Sequence, residues 1–225
     1  RTGWNVHISV RFNKNIRHRG IDMDFLDGMQ LDVLKEIGNI GAGNAATSLS
    51  KLLSRRVGMN VPEVKLIQFN QVEMVVGGAE TLVAGVYFEF SGDIQGTILF
   101  ILDRASANNL LFLLIPNDFA EYDEDFSPLE RSALQEVGNI LAGAYLGSLS
   151  VMTGLTIKHS TPAFAYDMAG AILSVPMIEF GQMGEYALFI ENVFIDGSSK
   201  IKGNFFLMPN VDSYPIILEA LGVYK

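Results

Sequence analysis

The chain states one motif twice, 100 residues apart. Leu31-Asp-Val-Leu-Lys-Glu-Ile-Gly-Asn-Ile-Gly-Ala-Gly43 returns as Arg131-Ser-Ala-Leu-Gln-Glu-Val-Gly-Asn-Ile-Leu-Ala-Gly143. Leu34, Glu36, Gly38, Asn39, Ile40, Ala42, Gly43, Ser48, Leu49, Ser50 and Pro62 all have an identical partner 100 positions on. A duplication in such strict register restricts the chain to folds that two copies of one unit can build together, and it implies two equivalent surfaces.

Each copy reads as a long amphipathic helix. Asp27-x-x-Gln30 and Ser127-x-x-Glu130 are capping boxes, with an acceptor three residues before a side chain that can reach back. Pro128 suits the first helical position. Leu31, Leu34, Ile37, Gly41, Ala45, Leu49 and Leu52 then recur at helical spacing. At about 100° per residue, Asp32, Glu36, Asn39 and Gly43 share an arc of roughly 60° opposite Leu34, Ala45 and Leu52. Ser132, Glu136, Asn139 and Gly143 repeat that stripe. A lone Glu and Asn three residues apart would be an ordinary solvated face. Here the apolar positions drift between copies (Val33/Ala133, Gly41/Leu141, Ala45/Tyr145) while Glu and Asn are kept, which solvation alone does not require. Gly38, Gly41 and Gly43 each cost a helix interior about 1 kcal/mol relative to alanine. Close approach of another backbone, from a packed helix or a docked partner, is the expected compensation.

Several chemistries are excluded by residue type or context. Gly41-x-Gly43-x-x-Ala46 matches a dinucleotide fingerprint, but that motif needs a preceding strand and a helix that starts at the glycines. Here the glycines lie inside a running helix, and the second copy, Leu141-Ala-Gly143, has lost the pattern. A nucleophilic triad needs a histidine base or its equivalent, and outside residues 1–22 the only histidine is His159, read as a surface or strand residue. Zinc sites need His and Cys clusters, and the chain has no cysteine.

Between the helices the pattern alternates. Met59 to Phe69 reads as a strand, and Pro62 within it implies an edge position or a strand start, because proline removes a ladder donor. Gln71 to Val76 reads as a short helix stopped by Gly77-Gly78. Leu82–Phe90 and Ile94–Leu102 flank Ser91-Gly-Asp93 as a hairpin, and Asp103 caps a helix through Leu114. The second half repeats this order: a strand at Leu155–Pro162, a helix from about Asp167, a hairpin of Tyr186–Ile195 and Ile201–Met208, and a helix over Tyr214–Leu221. The expected fold is therefore α+β: an internally duplicated, pseudo-twofold domain with a central six-stranded sheet and two long helices bearing the sites. It would span 23–225, with halves of about 23–116 and 127–225 joined by an acidic linker, 117–126. That linker reads as a solvated loop.

Charge separates the first residues from the rest. Residues 1–21 carry five basic groups and no acid, whereas the whole chain has a net charge of −9, leaving −14 on residues 22–225. Because the chain opens on Arg1 and Met23 stands just before the duplicated region, residues 1–22 are expected to be a basic leader that is non-native or disordered; a basic arm for an acidic partner is the alternative. An acidic body argues against nucleic acid as a ligand. No apolar run nears the length of about 18 residues that spans a bilayer. The absence of cysteine suits the cytoplasm, and a monomer is expected.

The spacing Asp32-x3-Glu36-x2-Asn39-x22-Pro62, with Ser132-x3-Glu136-x2-Asn139-x22-Pro162, resembles the double signature of the CheC family of chemotaxis phosphatases (the CheC/CheX/FliY superfamily), in its two-site CheC type. The resemblance runs from about Asp24 to the C-terminus. It implies hydrolysis of the aspartyl phosphate on a CheY-type response regulator, and binding of the receptor deamidase CheD. On this basis Asn39 and Asn139 are expected to orient the attacking water, and Glu36 and Glu136 to anchor the regulator through its lysine. No cofactor of the protein's own is required, the Mg2+ being carried by the partner regulator. Asp32, Ser132, Gly43 and Gly143 would line the docking edge, and Pro62 and Pro162 would be structural. Asp167 and Met168, heading a methionine-bearing segment that continues through Met177, Ile178 and Met183, would suit a protein interface. The alternative function is a non-catalytic chemotaxis regulator that acts by binding CheD.

Overall fold

The computed structural model describes residues 28–68, 71–116, 125–180, 186–196 and 199–222. Residues 1–22, the Asp27 cap, residues 117–124 of the linker and Met183 lie outside them, as do the side chains of Pro62, Met177 and Ile178.

Both long helices form where the spacing places them, as α1 (Gly28–Leu52) and α4 (Pro128–Thr153). The α4 start is a complete capping box: Glu130 N–H donates to Ser127 Oγ at 3.3 Å, and Ser127 N–H donates to Glu130 Oε2 at 2.7 Å. Gly154, at φ 73°, closes the helix in the left-handed region that glycine enters without a Cβ penalty. The strands are β1 (Gly58–Gln68), β2 (Leu82–Gly92), β3 (Gly96–Asp103), β4 (Ile157–His159), β5 (Ala163–Met168), β6 (Tyr186–Asp196) and β7 (Ser199–Pro209). Short helices complete the chain: α2 (Val72–Val75), α3 (Arg104–Leu114), α5 (Ala169–Phe180) and α6 (Ser213–Ala220). Asp103 caps α3, its Oδ1 accepting from Ser106 N–H at 2.6 Å.

One antiparallel sheet carries all of these strands, in the order β1-β6-β7-β3-β2-β4, with β5 also on β2. β4 and β5 are two segments of one edge. His159 pairs with Phe90, and Ala163 with Tyr87, so β2 advances three residues where the edge advances four. Pro162 lies in that interruption. At the opposite edge, β1 slips its register on β6 between Asn60 and Glu63, which brackets Pro62. Counting β4 and β5 as one interrupted strand gives six positions that reverse onto themselves under a twofold. Both prolines thus sit on edge strands, at a bulge rather than at a strand start; an edge bulge is where a missing N–H costs the ladder least. The helix expected from about Asp167 begins at Ala169, because the edge strand runs on beyond the proline.

In this order, β1 of the first half pairs with β6 of the second, while β4 and β5 of the second pair with β2 of the first. Each half lends its opening strand to the other half's hairpin.

The sheet is buried on both faces, which is why β2 and β3 read as continuous apolar runs rather than alternating ones. On one side Val86, Phe88, Ile98 and Phe100 meet α1, α3 and α4 through Ile37, Leu49, Leu110, Leu134 and Val137. On the other, Val83, Leu99, Ile101 and Phe206 meet α2 and α5 through Val72, Ile172 and Leu173. The first N–H groups of α5 are satisfied by the preceding loop: Ala169 donates to Thr81 O at 2.8 Å and Gly170 to Ala79 O at 2.9 Å.

Candidate functional site

The two site helices lie side by side on the same face of the sheet. Asn44 Nδ2 on α1 donates to Ser148 Oγ on α4 at 3.3 Å. Gly41 faces the ring of Tyr145, which is fully buried and would collide with any Cβ there. The apolar drift between copies is thereby explained. Gly41 opposes Tyr145; at the repeat-equivalent positions Leu141 is large and Ala45 small, and all but the glycine belong to one core cluster. The Tyr145 hydroxyl donates to Asn192 Oδ1, and Asn192 Nδ2 donates to Ile190 O at 3.0 Å, so this buried polar pair is satisfied. Burial pushes the Tyr145 hydroxyl well above the ordinary tyrosine range, against the smaller opposing effect of its bond to Asn192.

The polar stripes point away from that core. Asp32, Glu36, Asn39 and Gly43 are exposed on α1; Ser132, Glu136 and Gly143 are exposed on α4, and Asn139 is half-buried. Among the described residues, neither Glu36 and Asn39 nor Glu136 and Asn139 take part in any of the side-chain hydrogen bonds or ion pairs that hold the fold. Asp32 does have a neighbour, Lys35 Nζ at 3.4 Å, but both side chains are largely exposed and such a pair contributes little. At the position equivalent to Lys35, Gln135 turns inward instead, its Nε2 donating to Pro162 O at 3.1 Å. This bond ties α4 to the edge bulge one residue before Glu136, giving Pro162 a direct structural link to the second stripe.

The helix glycines fall into two groups. A Cβ on Gly38 would stand 3.0 Å from Val64 Cγ2, and one on Gly138 2.9 Å from Val86 Cγ1. These glycines, like Gly41, let α1 and α4 settle against the sheet and each other. A Cβ on Gly43 would meet nothing within 4 Å, and one on Gly143 would meet only His159 Nε2 at 3.8 Å. Nothing inside the fold offsets the helix cost of these two, and both lie on the stripes.

Asp167 and Met168 sit apart, at the end of β5, and both are exposed. Met168 pairs across the strands with Leu82, and these two apolar side chains are 50% and 49% exposed, forming a small apolar patch. Among the described residues no three His, Cys, Asp or Glu side chains converge in a metal-ligand arrangement, and no helix is long and apolar enough to cross a membrane.

A CheC-like family model matches residues 29–66 and again residues 129–166, the same 100-residue offset. The CheC protein of Bacillus subtilis, a CheY-P phosphatase, is 38% identical over 196 residues, which are 86% of this chain and 94% of that protein. The chain belongs to the CheC-like family. The flagellar motor switch phosphatase FliY of the same organism is 29% identical over 141 residues, 63% of this chain but 36% of FliY. In structure, the CheC-like chain superposes on Thermotoga maritima FliY with a TM-score of 0.70 at 22% identity, over 89% of this chain and 99% of that one. FliM in a complex from H. pylori superposes with a TM-score of 0.64 at 15% identity, over 88% and 97%. At such identities the superpositions speak for the shared fold alone. Each family match begins one residue after α1 or α4 begins and ends within the following edge strand, so it covers helix, stripe and proline together.

Proposed function

We propose that the protein is a phosphatase that hydrolyses the aspartyl phosphate of a CheY-type response regulator, using each of the two stripes as a docking and catalytic surface. The observation that carries this reading is the pair of solvent-accessible Glu and Asn side chains, repeated on both helices and unused by the fold. The name of the relative that shares 38% of its residues points the same way.

A carboxylate and an amide on a helix face make little chemistry alone. A phosphorylated receiver supplies the rest: an acyl phosphate, its own lysine and its own Mg2+. What remains is to hold a water in line, and phosphoryl transfer depends mostly on positioning and electrostatics. An amide can both donate to and accept from a water without acting as a base. Asn39 and Asn139 take that role. Glu36 and Glu136, one helical turn earlier, pair with the receiver's lysine and fix the docked helix. Gly43 and Gly143 keep the surface flat where the receiver's backbone approaches, and Asp32 and Ser132 extend the docking edge. The chain itself contributes no metal, and it acts as a monomer in the cytoplasm.

The test is phosphate release from a phosphorylated receiver with Mg2+, comparing the unmodified protein with Asn39→Ala, Asn139→Ala and the double variant. A positioned water-handling group contributes on the order of 10² to 10⁴ in rate. The double variant is therefore expected to fall to the receiver's own rate, with the single variants ranking the sites. A folded double variant that matches the unmodified protein removes the catalytic reading.

The exposed Leu82/Met168 pair beside Asp167 supports a second role, binding of the receptor deamidase CheD. That surface lies on β2 and β5, not on the stripes. Deamidase binding should therefore survive in the Asn39→Ala/Asn139→Ala protein and weaken with Met168→Glu; the reverse pattern would assign binding to the stripes instead.

A further inference from the structure

The two stripes share their Glu, Asn and Gly but not their surroundings. His159 lies on β4, opposite Phe90 of β2. Two contacts hold its ring: its Nδ1 is 3.0 Å from Ser160 O, and it packs T-shaped with the buried Phe88 ring at a centroid distance of 5.6 Å and an interplanar angle of 88°. In this position its Nε2 is the atom nearest to where a Cβ on Gly143 would stand. Because a carbonyl oxygen can only accept, Nδ1 carries the proton in that contact, and Nε2 of the neutral ring is left as an acceptor. Gly143 is four residues after Asn139, one turn along the same face. An acceptor nitrogen therefore borders the second stripe at its glycine.

Among the described residues the first stripe has no counterpart. The residue 100 positions before His159 is Met59, which packs against the core, and nothing stands within 4 Å of a Cβ on Gly43. A methionine offers no comparable acceptor.

We infer that His159 is a specificity-determining contact of the second site, its Nε2 accepting a hydrogen bond from the receiver docked on α4, and that it makes the two sites unequal in receiver affinity. This rests on the phosphatase reading of the stripes. Asn139 sets the water; His159 touches the partner beside it and acts on binding rather than on the chemical step.

One-site proteins separate the contributions: Asn139→Ala leaves the first site, and Asn39→Ala leaves the second. His159→Met, which installs the first copy's residue, is expected to raise KM for the phosphorylated receiver about 5-fold in the second-site protein, the size of one neutral hydrogen bond. kcat should stay within about 2-fold, and KM of the first-site protein should not follow. His159→Phe keeps a ring on Phe88 without the nitrogens and should behave like His159→Met, whereas His159→Gln restores an acceptor and should recover part of the loss. Full affinity in His159→Phe, or equal shifts in both one-site proteins, would overturn the inference and leave His159 a packing residue. Titration with a beryllofluoride-loaded receiver reads the same contact without turnover. If no variant releases phosphate, the phosphatase reading fails, while a His159-dependent affinity in the titration still stands or falls separately.

Discussion

The helix glycines make a test in which stability and activity move in opposite directions. Replacing Gly43 by alanine adds a Cβ that meets nothing within 4 Å, and at Gly143 it meets one imidazole nitrogen at ordinary contact distance. Neither glycine has a positive φ, so the helix gains the full difference in propensity, about 1 kcal/mol at each site. For a chain of this size 1 kcal/mol is worth roughly 2–4 °C in Tm. The two added Cβ atoms share no neighbour within 4 Å, so the gains should add, and Gly43→Ala/Gly143→Ala should melt about 4–8 °C higher. Gly38→Ala and Gly138→Ala are the controls. Their Cβ atoms would press on Val64 and Val86 at 3.0 and 2.9 Å. Overpacking of this kind costs about 1–3 kcal/mol, which cancels or exceeds the propensity gain. Gly41→Ala, against the Tyr145 ring, should be the worst of the set. Leucine at 43 and 143 keeps most of the helical benefit but projects into the space a partner would occupy. Phosphate release by Gly43→Leu/Gly143→Leu should fall at least 10-fold at low receiver concentration while thermal melts stay at or above the parent. Unchanged phosphate release by the leucine variant would show that no partner approaches the stripes. A lower Tm in Gly43→Ala would refute the claim that this glycine has no internal role.

The buried Tyr145–Asn192 pair gives a second prediction: Tyr145→Phe leaves Asn192 Oδ1 buried without a donor and should cost about 1–3 kcal/mol in urea unfolding, whereas a neutral result would mean that water reaches Asn192. Burial also raises the hydroxyls of Tyr145 and Tyr214 above the ordinary tyrosine value. Unfolded tyrosines release their protons near pH 10 while these two hold theirs, so the stability they contribute is complete below about pH 10 and is lost as pH rises beyond it. Tyr145→Phe should flatten that alkaline loss without abolishing it, because Tyr214 remains; an identical slope in both proteins would contradict the burial argument.

Much of this was legible in the chain itself, because duplication acts as a second measurement of every position. The α4 cap, both long helices, the outward Glu/Asn stripes and the hairpins follow from local spacing, and local spacing is what a sequence records directly. Partners are not recorded. The pattern marks Met59 to Phe69 as a strand but cannot say that it pairs with a segment more than a hundred residues later. The pattern places the second edge strand at Leu155–Pro162; in the fold the proline lies at a bulge, and the strand resumes at Ala163. Three glycines look alike in sequence, yet Gly38 and Gly41 are spacers for Val64 and Tyr145 while Gly43 faces open space. His159 is one histidine in an unremarkable strand until β4 packs beside α4 and brings it to Gly143.

The exchange of opening strands has a consequence for how the chain comes into being. β1 has no partner until β6 exists, and Gln68 pairs with Tyr186, 118 residues later. At 5–20 residues per second, the ribosome takes roughly 6–24 s to supply that partner. During that interval an apolar strand waits with both edges open, the state most prone to pair with another chain. Its sequence guards against this: Pro62 removes a donor, and Glu63 and Lys65 place charges on a segment that later ends up at the sheet's edge. A chain released before residue 186 should therefore stay unfolded or aggregate rather than form a free first half, and Pro62→Val should worsen its aggregation more than it changes the finished protein.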